Sequence, residues 1–269
     1  MFFITISRQI GTKGTDIAKL VAKELRYNFY DTEDIEEKAK ELGYMEDIRE
    51  VNDKPPSPLK RIFSRQPEIW LDHLNTVIYD LLRRGSAVLL GRGGNVFLQS
   101  IPHALHVRVI ASQETRINNL LERGYKRGDA ILLMEKSDYE RSSFIRFAFH
   151  RDWDDPELYD IVFNMDNLTV HVAVDTILCA ARLRESQYRS GNMVNPLDLL
   201  ELAVRVRASL KKKVGFLPTS YVSTFVSAPG KVRLTGVVQV PREKYDAEVT
   251  AMEVEGVEWV ESQIKIASK

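Results

Sequence analysis

The residues with the clearest potential for chemistry lie in a short loop near the start of the chain. A β-branched and aromatic run at residues 2–6 predicts a buried strand, and apolar residues at helical spacing from Ile17 onward predict a helix. The loop between them contains Gly11, Lys13 and Thr15. Backbone N–H groups and the helix dipole favour an anion at such a turn, and a lysine adds a point charge. A hydroxyl one turn into the helix can reach a phosphate oxygen or Mg²⁺.

The match of this loop to the P-loop pattern is incomplete. That pattern requires glycine, four residues, and then Gly-Lys followed by serine or threonine. Here Ser7 stands at the first glycine and Thr12 precedes Lys13. Two interpretations are therefore open: a phosphate-binding loop, which the flanking strand and helix favour, and an ordinary turn between a strand and a helix.

Length, composition and charge restrict the class of protein. A chain of 269 residues with 44% apolar and 28% charged residues indicates a soluble globular protein of one or two domains. A net charge of zero gives no electrostatic sign of nucleic-acid binding. The single cysteine, Cys179, cannot form an intramolecular disulfide, so it indicates the cytoplasm, and its apolar surroundings predict burial. We expect neither a transmembrane segment nor a signal peptide.

Strands and helices alternate over the first two thirds of the chain. Apolar runs predict strands at residues 2–6, 27–32, 86–90, 104–110 and 158–164, with helical patterns between them. This alternation predicts an α/β domain over residues 1–187, with a parallel sheet and right-handed crossovers. Ligands of such sheets bind at the carboxyl ends of the strands, where the polar stretches 7–15, 31–32 and 91–95 lie.

Prolines, a helix-capping serine and turn residues indicate how the remaining segments are organised. Four prolines in residues 44–67 predict a mobile connection or a small lid, and Ser112 is placed to cap the next helix. Residues 188–196 resemble a linker. Beyond it, a helix, a hairpin through Ala228-Pro229-Gly230, a second helix and a last strand predict a small αββαβ domain over residues 197–267.

Residues 1–185 resemble the cytidylate kinase-like family, the divergent relatives of bacterial CMP kinase. The resemblance is carried by Ile4-Thr5-Ile6-Ser7-Arg8-Gln9 with Gly11, Phe29-Tyr30-Asp31, Gly91-Arg92-Gly93, Asp138-Tyr139-Glu140-Arg141 and Asp152-Trp153-Asp154-Asp155-Pro156. It implies a P-loop kinase-type parallel sheet flanked by helices. It also implies transfer of a phosphoryl group from ATP, with Mg²⁺, to a nucleotide.

The resemblance also implies roles for individual residues. It assigns the donor phosphates to Gly11, Thr12, Lys13, Gly14 and Thr15, and the metal to Thr15 and Asp31. It assigns the acceptor to Asp31, Thr32, Arg92, Asp138 and Arg141, and catalysis to Lys13, Arg141 and Arg146. Cationic residues crowd the segment where such kinases carry a closing lid, namely Arg123, Lys126, Arg127, Arg141, Arg146 and Arg151.

Two departures from the family pattern leave the activity open. Gly93 replaces the aspartate that follows the arginine of the Gly-Arg-Asp motif in CMP kinase, and Met134 stands where a lid arginine is expected. A catalytic lid arginine would then have to be Arg127, Arg146 or Arg151. The leading hypothesis is a nucleoside monophosphate kinase acting on CMP or dCMP. The alternatives are a nucleotide-binding sensor and a kinase with a non-nucleotide acceptor.

Residues 197–266 resemble a BON domain. The resemblance is carried by residues 230–238 and 254–260, which run Gly-Lys-Val-Arg-Leu-Thr-Gly-Val-Val and Val-Glu-Gly-Val-Glu-Trp-Val. It implies a binding module for a protein or lipid partner, without catalytic residues. The alternative is a docking or stability module.

Overall fold

The computed structural model describes residues 1–45, 67–99, 101, 103–189, 196–214 and 221–267. The chain divides into two compact units, one containing Met1–Gln99 and His103–Gly191, the other Ser100–Pro102 and Asn192–Lys269. The expectations for residues 44–67 and 188–196 fall almost entirely outside the described residues.

The first unit is an α/β layer structure. In chain order it contains β1 (Phe3–Arg8), α1 (Gly14–Leu25), β2 (Asn28–Tyr30), α2 (Thr32–Glu41), α3 (Pro67–Leu82), β3 (Ala87–Leu90), α4 (Gly94–Phe97), β4 (Ala104–Ile110), α5 (Gln113–Glu122), α6 (Arg127–Phe149), a 3-10 turn (Pro156–Leu158), β5 (Ile161–Asn164) and α7 (Val170–Arg189). The strands form one parallel sheet in the order β2-β3-β1-β4-β5. The predicted parallel sheet flanked by helices is confirmed.

The central position of β1 determines where the polar loops meet. Its residues 3–6 are almost completely buried, as expected for a strand covered on both faces. Ile6 is in register with Leu90 of β3 and with Val107 of β4. Because all three strands run parallel, the loop after β1 and the turn after β3 emerge at the same edge of the sheet.

Short polar side chains begin two of the helices. Asp31 caps α2 by accepting a hydrogen bond from the backbone N–H of Glu33 at 2.9 Å. Ser112 caps α5 by accepting a hydrogen bond from the backbone N–H of Thr115 at 3.4 Å, as predicted.

The expectation that Cys179 is buried is wrong: the thiol lies on the exposed face of α7, because the buried face consists of residues such as Ala173 and Ile177. Within the described ranges, no helix has both the length and the apolar character needed to cross a bilayer.

The second unit contains α8 (Pro196–Lys213), β6 (Tyr221–Ala228), β7 (Lys231–Val238), α9 (Pro241–Met252) and β8 (Trp259–Ile266). Its sheet has the order β6-β7-β8, with β6 antiparallel and β8 parallel to β7. The predicted αββαβ order is confirmed. Gly230 forms the hairpin turn with a φ of 69°, and Val206, Leu234 and Ala247 lie in the core.

Candidate active site

The loop between β1 and α1 has a backbone that restricts its residue types. Gly11 adopts a φ of 83°, and a methyl group there would lie 2.7 Å from the carbonyl oxygen of Arg116, so only glycine fits. Lys13 adopts the left-handed conformation, with a φ of 60°, at the residue that precedes α1. Glycine favours this conformation, and a lysine there is unusual.

The carbonyl oxygens of this loop are held by side chains. Thr12 Oγ1 donates to the oxygen of Gln9, Arg116 Nε to that of Ile10, and Asn119 Nδ2 to that of Gly11, each at 2.8 Å. The last two donors lie on α5. The helix therefore fixes which way the peptide groups of the loop point.

Most N–H groups of the same loop, unlike its carbonyl groups, are left without hydrogen bonds within the described residues. Across the part of the chain that the structure describes, the backbone N–H groups of residues 10–13 have no hydrogen-bond acceptor. Successive N–H groups at the beginning of a helix form a concave site for an anion. With its carbonyls occupied and its N–H groups available, the loop has the properties of a phosphate-binding loop.

A buried ion pair connects this arrangement to α6. Arg116 contacts Asp138 through both terminal nitrogens, at 2.7 and 2.9 Å, and its side chain is only 6% exposed. Asp138, which the family resemblance assigns to the acceptor, is thus engaged in holding the residue that positions the loop. Its assignment to the acceptor stays a prediction.

Beside the loop lies a cavity of about 210 Å³ lined by three arginines, Arg8, Arg92 and Arg141. Arg92 contacts Glu36 at 3.3 Å, and Arg141 donates to the carbonyl oxygen of Arg8 at 2.9 Å. Arg92 Nε and Asn95 Nδ2, which belong to two residues that line this cavity, are buried and have no hydrogen-bond partner among the described residues. Donors left in this state in a cavity indicate a place for an acceptor atom of a ligand.

The cavity has more basic than acidic side chains: Glu36 pairs with Arg92 and Glu140 lies in the lining, while Arg8 and Arg141 form no ion pair within the described residues. Burial and then the neighbouring charge of Arg141 lower the pKa of Arg8 to about 9, partly opposed by Asp31. Burial lowers the pKa of Arg141 to about 10, against the opposing effect of Asp138. Burial also lowers the pKa of Arg92. With pKa values of about 9 and about 10, Arg8 and Arg141 remain protonated at neutral pH, so the cavity attracts anions.

The segment that follows α6 anchors the end of β1. Ser7 Oγ accepts hydrogen bonds from Trp153 Nε1 at 3.0 Å and from Arg108 at 3.1 Å. Arg108 stacks on Trp153, with its guanidinium carbon 3.6 Å from the ring centre, and contacts Asp154 at 2.6 Å. The Asp-Trp-Asp-Asp-Pro motif therefore stabilises the strand from which the loop begins.

The structure brings together some of the residues assigned from sequence and separates others. Thr32, Arg92 and Arg141 line one cavity. The Nζ atom of Lys13 lies 3.5 Å from Glu122, and its side chain is 40% exposed. Asp31 caps α2, Gly14 and Thr15 begin α1, and Arg146 is exposed on α6.

Sequence reasoning missed several residues of this site, namely Arg8, Asn95, Arg108, Arg116 and Asn119. Arg8 and Asn95 carried a local signal, since they lie in the polar stretches 7–15 and 91–95 at the carboxyl ends of predicted strands. The others become recognisable through contacts between distant parts of the chain. The structure also explains why glycine replaces aspartate at position 93. A methyl group on Gly93 would lie 2.4 Å from the Phe149 ring, so an aspartate would not fit this packing.

Comparison with known proteins agrees with this architecture. The sequence profile of the cytidylate kinase-like family matches residues 3–167, more than half of the chain. A crystal structure of an uncharacterized protein from Eubacterium ventriosum ATCC 27560 is 23% identical, with a TM-score of 0.56, and the match covers 68% of this chain and 98% of that one.

Two kinases of known structure match this chain with TM-scores lower than that of the Eubacterium ventriosum protein. A gluconokinase from Sinorhizobium meliloti 1021 is 16% identical with a TM-score of 0.43, covering 71% of this chain and 98% of that one. A shikimate kinase from Bacteroides thetaiotaomicron is 13% identical with a TM-score of 0.38, covering 69% and 98%. A search of curated proteins found no match. The profile match across the strands and loops that form the site shows that the chain belongs to the cytidylate kinase-like family.

Proposed function

We propose that this protein is a phosphotransferase that moves the γ-phosphoryl group of ATP to a nucleoside monophosphate of the CMP or dCMP type. The observation that supports this most is that the N–H groups of residues 10–13, which have no acceptor within the described residues, lie beside the arginine-lined cavity, since each of these features suits an anion. A kinase for a phosphorylated acceptor needs both sites, because donor and acceptor are both anionic.

The loop supplies the donor site in this proposal. Its N–H groups bind the phosphates of ATP, with Gly11 and Gly14 allowing close approach of the backbone and Lys13 adding charge. Mg²⁺ typically takes one or two carboxylates together with phosphate oxygens, so the oxygen ligands of Asp31 and Thr15 fit this ion in type. When bound, Mg²⁺ neutralises charge on the phosphates.

The cavity supplies the acceptor site. Arg141 forms no ion pair within the described residues, and Arg92 pairs only with Glu36, so the remaining positive charge favours an acceptor with its own phosphate. Phe144 and Ile145, which also line the cavity, offer apolar contact to a sugar or base. Thr32 adds a hydroxyl group at the same edge.

The proposed reaction requires no proton transfer by the protein. An oxygen of the acceptor phosphate attacks the γ-phosphorus, a new P–O bond forms, and the bond to the β–γ bridging oxygen breaks. ADP leaves with the electron pair, and the acceptor becomes a nucleoside diphosphate. The protein holds the two anions in line and stabilises the charge on the transferring oxygens.

A transfer screen with purified protein, ATP and Mg²⁺ tests the proposal. We expect turnover on CMP or dCMP and none on small alcohols. Turnover on an alcohol alone would instead support a non-nucleotide acceptor, and ATP binding without any turnover would support a sensor.

A variant at Arg92 tests the acceptor site directly. Arg92→Ala should raise the KM of the acceptor roughly 10- to 100-fold with little change in the KM of ATP, because a charge-assisted hydrogen bond to phosphate is lost. Glu36→Gln is the matched control, since it breaks the ion pair and keeps the guanidinium. If both variants lower the melting temperature and affect both substrates alike, Arg92 serves only to connect the turn after β3 to α2.

We further propose that residues 197–267 form a BON-like domain that binds a protein or lipid partner, in a cytoplasmic protein. The αββαβ order supports this, as do the exposed apolar residues Phe225, Val237 and Trp259 on its strands. Limited proteolysis within residues 188–196 should release an N-terminal fragment, residues 1 to about 187, that keeps the ATP affinity of the full chain. Loss of ATP binding on cleavage would contradict the two-domain organisation.

A further inference from the structure

The side chain of Arg8 connects the two anion sites. A methyl group on Gly14, where α1 begins, would lie 2.6 Å from Arg8 Cβ. A methyl group on Gly91 would lie 2.5 Å from one terminal nitrogen of the same arginine. The side chain therefore starts beside the phosphate loop and ends over the turn that carries Arg92, along the wall of the arginine-lined cavity.

The guanidinium group of Arg8 has no partner in the part of the chain that the structure describes. It is partly buried, yet among the described residues it forms neither a hydrogen bond nor an ion pair, and Asp31 acts on it only through its charge at longer range. Desolvation and the like charge of Arg141 both disfavour its protonated form, which accords with the lowered pKa. A cation left in this state is costly, and an anion in the cavity would relieve the cost.

The other arginines proposed for catalysis are placed differently. Arg127 pairs with Glu114 at 2.9 Å and is more than half exposed. Arg146 and Arg151 are exposed. Arg141 donates to the Arg8 carbonyl oxygen, so it also holds the backbone from which Arg8 extends.

We propose that Arg8 is a catalytic residue whose guanidinium group bridges the γ-phosphoryl group and the acceptor phosphate and stabilises the oxygens of the transferring group. This inference rests on the proposed phosphoryl transfer. Arg8 exchanges no proton. It supplies, from the end of β1, the positive charge that the family pattern would place at Met134, a residue that is buried in α6.

Steady-state kinetics give the first test. Arg8→Lys should lower kcat on the best acceptor by about 10³-fold, the lower range for loss of a transition-state arginine, and change both KM values less than about threefold. Arg182→Lys, at an exposed arginine of α7, is the matched control and should change neither value. A raised KM with unchanged kcat would overturn the proposal, because Arg8 would then bind only the ground state.

Titration calorimetry gives a test that needs no acceptor. Aluminium fluoride with ADP and Mg²⁺ imitates the transferring phosphoryl group, so it should tighten ADP binding by wild-type protein about 10²-fold or more. Arg8→Met should lose this tightening, bind ADP alone normally, and melt no lower than wild type because an unpaired charge is removed.

The outcomes separate the two proposals. The protein could be inactive on every nucleotide and still bind ADP more tightly with aluminium fluoride in a way that depends on Arg8. That result would support the catalytic role of Arg8 and reject the proposed acceptor. If aluminium fluoride still tightens ADP binding by Arg8→Met, the catalytic role of Arg8 is rejected and the proposal for the acceptor is unaffected. A wild-type protein without tightening, or an Arg8→Met variant that melts much lower, would also overturn the role of Arg8.

Discussion

Replacing Asp138 by asparagine should destabilise the protein and loosen the loop between β1 and α1. The structure joins Asp138 to Arg116 by two short contacts, at 2.7 and 2.9 Å, and Arg116 in turn holds the carbonyl oxygen of Ile10. An amide keeps the size of the side chain but removes the negative charge and one of the two acceptors. The buried guanidinium of Arg116 would then lack a counter-charge.

The magnitude follows from the exposure of the two partners. Breaking a fully buried ion pair costs about 3–5 kcal/mol. The Arg116 side chain is 6% exposed but that of Asp138 is 29% exposed, so water replaces part of the lost interaction. We therefore expect the free energy of unfolding to fall by roughly 2 kcal/mol. The KM of ATP should rise more than that of the acceptor, because Arg116 would hold the loop between β1 and α1 less firmly.

Urea denaturation of the two single variants, Asp138→Asn and Arg116→Met, and of the double variant measures this directly. A double-mutant cycle should show a coupling of about 1–2 kcal/mol between the two residues. Asp175→Asn, at an exposed carboxylate of α7, is the control and should have little effect. An Asp138→Asn variant with unchanged stability and a raised acceptor KM would refute the reasoning and place Asp138 on the acceptor, as the family resemblance implies.

Two further predictions concern Lys13 and His106. Lys13→Gly should raise the free energy of unfolding by about 1 kcal/mol, because glycine adopts the left-handed backbone at lower cost. It should also weaken ATP binding roughly tenfold in calorimetry by removing a charge, and unchanged affinity would exclude contact of Lys13 with the phosphates. Burial lowers the pKa of His106 from 6.5 to about 4, so the unfolded chain takes up this proton at higher pH than the folded one. Stability should thus fall by up to about 3 kcal/mol from pH 7 to 4 in urea denaturation, and an equally steep fall in His106→Gln would contradict this cause.

The sequence alone determined the main elements and the location of the loop between β1 and α1. Alternating apolar strands and amphipathic helices predicted the parallel sheet, and the residues around Gly11 predicted a loop before a helix. The αββαβ order of the second unit and the cap at Ser112 were predicted in the same way. All of these features depend on spacing and residue type within a few neighbouring positions, which the sequence displays directly.

Tertiary structure decided what each charged residue contacts. The family resemblance assigned Asp138 and Arg141 to the acceptor, but the contacts that the structure gives them, to Arg116 and to the carbonyl oxygen of Arg8, come from other elements. The pairing of β1 with β3 brings Arg92 to the loop, and packing around Arg8 removes water from its charge. Pairing and desolvation depend on residues distant in sequence, so the pattern of one segment reveals neither.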